Sequence, residues 1–142
     1  MTLILLTFLS IGFLTGQSND FSDFRQPPKL LKLEAEKISN WLQNAPLEFT
    51  PAAKNKLIVI SLPDPAGQYA DYRAELSPIA SDKLAAKYPE FNTYRLFDLN
   101  TGAYAGRLLS TPLGIDAVVK TETGMVCIEP HLNNTDLHRV YY

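Results

Sequence analysis

Apolar and polar residues alternate strictly along several stretches of this chain, and the alternation predicts most of its elements. From Tyr69 to Leu76, Ala70, Tyr72, Ala74 and Leu76 share one parity, and Tyr69, Asp71, Arg73 and Glu75 share the other. Successive side chains of a strand point to opposite faces, so this is a strand with one face buried. Residues 106–130, GRLLSTPLGIDAVVKTETGMVCIEP, repeat the pattern, with Leu113, Ile115, Ala117 and Val119 opposing Gly114, Asp116 and Lys120. Thr121-Glu122-Thr123-Gly124 reads as a turn and Met125–Glu129 as the returning strand of a hairpin.

Other strands follow from weaker signals. Leu57–Leu62 (LIVISL) is apolar on both parities, which predicts a central strand covered on two faces. Pro63-Asp64-Pro65-Ala66-Gly67 turns the chain into the strand at 69–76, so the two should pair. Thr93–Leu99 is a further strand closed by the turn Asn100-Thr101-Gly102, Leu31–Leu33 is a short one, and a last strand follows Pro130.

The period changes over 34–44, where Ala35, Ile38 and Leu42 recur at helical steps with Trp41 beside them. Ala45-Pro46 stops this helix, because the residue before proline avoids helical geometry. A short helix at 82–88, with Ser81 or Asp82 as its N-cap, ends at Pro89. The expected architecture is a single α+β domain: a mostly antiparallel sheet of about five to seven strands with one amphipathic and one short helix.

The N-terminal pattern is of another kind. Residues 3–14 form an uncharged apolar run, too short for a span that needs about 20 residues. A small residue, Gly16, and a polar stretch follow, as in a signal peptide. The expected organisation is a signal peptide over 1–16, a flexible lead-in over 17–28 with Pro27-Pro28, and one domain over 29–142. The protein is then secreted or held in the periplasm or cell envelope, with no membrane span left after cleavage.

Composition narrows the chemistry. A net charge of −2, with lysines and arginines scattered, argues against nucleic acid and against an anionic membrane surface. The single cysteine, Cys127, excludes an internal disulfide and a cysteine-rich metal site. His131 and His138 are seven residues apart, in an expected loop and edge strand, with no glutamate between them, unlike the H-E-x-x-H of a zinc protease. Neither a G-x-S-x-G elbow nor a phosphate- or dinucleotide-binding glycine loop occurs, so no catalytic residue and no cofactor is assigned. Cys127 is the one zinc-switch candidate, since a thiolate can fill the open position of a catalytic zinc. Its place on the parity of Met125 and Glu129 favours a strand residue instead. The aromatic residues lie mostly in or beside strands, which predicts roles in core and sheet packing.

Three segments in series carry a family resemblance: LKLEAEKISNWLQNAPLEF at 31–49, VISLPDPAGQYADYRAELSPIASDKLAAKYPEFNTYR at 59–95, and GRLLSTPLGIDAVVKTETGMVCIEPHLNNTDLHRVYY at 106–142. Together they resemble the region that precedes the catalytic domain in secreted bacterial reprolysin-like zinc metallopeptidases. The resemblance implies a propeptide-like domain, of the kind that keeps the protease latent and assists its folding. The partner it implies is a zinc metallopeptidase catalytic domain, in cis or in trans. The chain stops at Tyr142, about where that family runs on toward the protease, so the resemblance implies a truncated precursor or a detached, non-enzymatic prosegment. The other class that fits is an exported binding module for a glycan or a surface protein.

Overall fold

A computed structural model describes residues 27–132 and 134–142. The signal peptide expected over 1–16, and the lead-in up to residue 26, lie outside the described residues.

Eight strands form one antiparallel sheet: β1 (Lys29–Lys32), β2 (Val59–Pro63), β3 (Tyr69–Leu76), β4 (Asn92–Asp98), β5 (Tyr104–Thr111), β6 (Gly114–Lys120), β7 (Met125–His131) and β8 (Asn134–Tyr141). Strands β2 to β8 run as a meander, and β1 returns to pair with the last strand, giving the order β1-β8-β7-β6-β5-β4-β3-β2. Among the described residues three helices accompany the sheet: α1 (Ala35–Leu42), α2 (Pro51–Asn55) and α3 (Asp82–Lys87).

This corrects the expected α+β class. The sheet curls into a half-barrel and only 17% of the described residues are helical, so the fold is β-rich. The helices are too few and short to form a layer, and the sheet has eight strands rather than five to seven. Two register shifts accompany the curl: opposite Leu96/Phe97 of β4, strand β5 carries one unpaired residue, Ala105, and opposite Pro130/His131 of β7, strand β8 carries three, residues 135–137. An extra residue in one strand bends it and increases the local twist.

Alternation sets what the concave face buries. Tyr94, Leu108, Ala117, Ile128 and Val140 lie in one row across five successive strands, all buried. A second row runs Leu96, Gly106, Val119, Val126. Helix α1 packs on this face against β6 and contributes Ala35 and Leu42 to the core, with Ile38 half-buried beside them. The residues expected to face inward in 69–76 do so, as do Ile115, Ala117 and Val119 in the hairpin, but Leu113, expected on the same parity, is exposed in the turn between β5 and β6. Thr121 and Gly124 close the hairpin turn through the Thr121 N–H.

Two further expectations are overturned. The apolar run at 57–62 is not a central strand: β2 is an edge, paired only to β3 among the described residues, and Leu57 is exposed. Only the parity of Ile58, Ile60 and Leu62 is buried, while Leu57, Val59 and Ser61 on the other are exposed or half-buried. His138, in contrast, is not on an edge. Pairing of β1 makes β8 interior, and the imidazole is 0% exposed.

Both edges are blunted against further strand pairing. β1 has four residues including Lys29 and Lys32, and β2 has five and ends on Pro63. Short length, lysine and proline all discourage edge-to-edge association.

Gly106 is required by close approach. A Cβ there would lie 2.0 Å from the Val118 carbonyl oxygen and 2.9 Å from the Val119 Cα, both backbone atoms of β6. Gly106→Ala should therefore separate β5 from β6 and cost about 1–3 kcal/mol, read as a lower urea midpoint.

His138 accepts the Ile115 N–H at Nε2, at 3.2 Å, so its proton resides on Nδ1, which has no hydrogen-bond partner within normal geometry. Burial pushes its pKa below the ordinary 6.5, outweighing the Asp136 carbonyl and carboxylate, which push the other way. The unfolded chain therefore takes up this proton at higher pH than the folded one. The stability that neutral His138 contributes is complete above about pH 6.5 and is lost as pH falls toward the folded pKa. Stability should drop across that window with a slope from this group of at most about 1.4 kcal/mol per pH unit. Urea titrations at stepped pH should show that slope in the wild type and a shallower one in His138→Gln.

Candidate partner-binding face

The convex face of the sheet carries a connected group of arginines and aromatic rings. Its geometry starts with a loop. After α1, Leu47 bridges Leu76 in parallel, with the Leu76 N–H donating to the Pro46 carbonyl and the Glu48 N–H to the Leu76 carbonyl, each at 2.8 Å. Two residues later Thr50 caps α2, its hydroxyl accepting the Ala53 N–H at 3.4 Å and donating to the Leu47 carbonyl at 2.6 Å. Phe49 joins these two constraints with φ 60°, in the left-handed region. It is the one non-glycine residue there among those described, and its side chain is 85% exposed. A bulky residue in this region is a backbone outlier.

Beside Phe49 the register brings Arg73, Arg95 and Arg107 onto adjacent strands. Glu75 stands opposite Arg95, and Arg95 opposite Arg107. The Arg95 guanidinium lies 5.0 Å from the Phe49 ring centre, 5.0 Å from that of Phe97 and 5.6 Å from that of Tyr104, all within cation–π range. It also donates to the Glu48 carboxylate at 3.2 Å, and the other Glu48 oxygen accepts the Ser77 hydroxyl at 2.7 Å. Arg73 stacks on Phe97 at 4.2 Å and pairs with Glu75.

Arg107 is the exception. It is exposed, faces a like charge across the strand pair, and makes only a long 3.5 Å contact to the Ser77 carbonyl. It has no carboxylate partner among the described residues, and two arginines directly opposite one another destabilise a sheet. Glu48, Phe49, Arg95, Tyr104 and Arg107 enclose a shallow hollow of about 360 Å³. Tyr104 is about half exposed, and its ring meets that of Phe97 edge-on at 6.0 Å and 78°. The hollow thus offers a cation and two accessible rings.

The expected packing role of the aromatic residues therefore holds for Tyr72 and Tyr94 but not for Phe49 and Tyr104, nor for Trp41 and Tyr69, which are also exposed. Trp41 and Tyr69 flank an apolar groove of about 420 Å³ between α1 and β2, with Ile38 and Val59 on its walls.

Of the sequence candidates, Cys127 shares the convex face, in the cross-strand row Arg95, Arg107, Val118, Cys127, and the histidines lie elsewhere. Cys127 is half-buried in the middle of β7, opposite Val118 on one side and Tyr141 on the other. Its parity places it on the convex face with Glu129, whose carboxylate accepts the Tyr141 hydroxyl and the Arg139 guanidinium. The Tyr141 hydrogen bond, and then Arg139, hold the Glu129 carboxyl below its ordinary pKa, while the same bond pushes Tyr141 up to about 12. His131 lies at the register shift between β7 and β8 and His138 in the core, so the structure does not gather Cys127 and the histidines into one centre. Among the described residues no three His, Cys, Asp or Glu side chains group as a metal site.

Comparison with known protein families, with curated proteins and with solved structures returns no match for this chain.

Phe49→Gly tests whether the loop is built for stability. Glycine occupies the left-handed region freely, and relief of about 1 kcal/mol of backbone strain offsets its larger unfolded-state entropy. The variant should unfold at a urea midpoint equal to or above that of the wild type.

Proposed function

We propose that this chain is a non-enzymatic, exported, propeptide-like domain that binds a zinc metallopeptidase catalytic domain through the Phe49–Arg107 face. The sequence resemblance supplies the partner class. The observation that carries the binding face is Phe49, a large ring held in a left-handed backbone conformation and exposed beside an arginine without a carboxylate partner. Strain of this kind costs roughly 1–3 kcal/mol and persists where the surroundings impose it, often at binding sites. Aromatic residues and arginine are also the types that dominate interface energetics.

Binding would act by steric cover of the protease rather than by a metal ligand, since Cys127 lies mid-strand and half-buried between Val118 and Tyr141. Edge pairing by β1 or β2 is the less favoured mode, because both edges are short and blunted. The alternative of a glycan platform on the same face is disfavoured by the edge-to-face setting of Phe97 and Tyr104, which leaves no flat stacking surface.

The test mixes the chain with the catalytic domain of a secreted reprolysin-like metallopeptidase from the same source and follows both complex formation and peptide hydrolysis. Saturable binding with inhibition is expected. Phe49→Ala or Arg107→Glu should weaken it at least about tenfold, whereas Trp41→Ala in the α1 groove should not. Undiminished hydrolysis and no complex at about 100 µM would count against the proposal.

A further inference from the structure

A polar cavity at one end of the half-barrel is lined in a way that core packing does not account for. It lies where β4 begins, β5 ends and β6 begins, under the side of α1 that carries Ser39, Asn40 and Gln43, and its volume is about 490 Å³. The helix therefore turns hydrogen-bonding groups toward this end of the concave face. The Ser39 hydroxyl meets that of Ser110 at 2.8 Å across 71 residues of sequence.

Tyr94 lines the cavity and is 2% exposed. Its hydroxyl makes no hydrogen bond to another described residue, although Tyr94 is buried enough that desolvation raises its pKa. Unlike the His138 Nδ1, this hydroxyl is not sealed in the core but opens onto the cavity. Here it is available to something inside the cavity.

The lining indicates what that is. Glu36, Glu90 and Asp136 supply acceptors, Asn40, Gln43 and Asn92 can both donate and accept, and no lysine, arginine or histidine takes part. Such a site disfavours anions. Pro89 and Pro112 add small apolar walls of the kind that C–H faces of a ring pack against. The volume falls within the range of about 300–1,000 Å³ typical of small-ligand sites.

We propose that this cavity binds a neutral saccharide of one or two rings, with the Tyr94 hydroxyl and the α1 amides as its hydrogen-bonding contacts. This site is separate from the Phe49 face, so the two readings stand or fall independently.

The experiment is a ¹⁵N–¹H NMR titration of the full chain with N-acetylglucosamine, its β1→4 dimer, maltose and cellobiose. Lysine amide serves as a cationic control. At least one sugar should give saturable shifts at Ser39, Asn92, Ser110 and Thr111 and none at Phe49 or Tyr104. Tyr94→Phe keeps the ring and should weaken that sugar about fivefold, the loss of one hydrogen bond. Gln43→Ala, at the exposed end of α1, should weaken it similarly without touching the core. No saturable shift with any of the four sugars up to about 50 mM would overturn the proposal. So would binding by lysine amide alone, or affinity unchanged in both variants.

Discussion

One hydrophobic face holds this molecule together. A sheet whose residues alternate presents apolar side chains on one side only, and that side must be covered or the sheet does not persist in water. Here three helices, short and few, cannot cover an eight-stranded sheet laid flat. Curling turns both inward rows, through Leu108 and through Val119, toward one common core, and α1 covers it with Ala35, Ile38 and Leu42. Close approach of β5 to β6 at Gly106 belongs to the same bend.

Covering the concave face frees the convex one. Its rows carry arginines, carboxylates, rings and Cys127, and they are organised by register rather than by sequence neighbours. Glu48, Arg95 and Arg107 come from three separate parts of the chain. Most of their charges and rings are matched internally, which makes the unmatched Arg107 and the exposed, strained Phe49 stand out. A scaffold that satisfies its neighbours and leaves one cation and one ring available is suited to recognition, and the rigidity of the sheet below lowers the ordering cost on binding.

The alternation made much of the sheet legible in advance. The inward sets of 69–76 and, Leu113 apart, of the hairpin follow from parity, because burial of one face leaves only one register; Leu113 is exposed because the turn begins there. Strand order was not legible in the same way. Leu57–Leu62 has the composition of a central strand and lies at an edge with one parity buried, since apolar composition does not say how many strands pair with it. The terminal strand looks like an edge and is interior, because β1, far away in sequence, pairs with it. These are long-range choices that no local pattern records.

By itself the sequence determined which side chains of each strand enter the core, where the chain turns, and that one cysteine and two dispersed histidines form no familiar catalytic motif. Each of these follows from local periodicity or residue identity. Tertiary structure decided the rest: a β-rich half-barrel rather than an α+β domain, His138 in the core, Phe49 raised beside Arg95, and Tyr94 with its free hydroxyl at a polar cavity. The reason is that these features depend on which strands are neighbours and on how far the sheet bends, quantities set by the sum of all contacts at once.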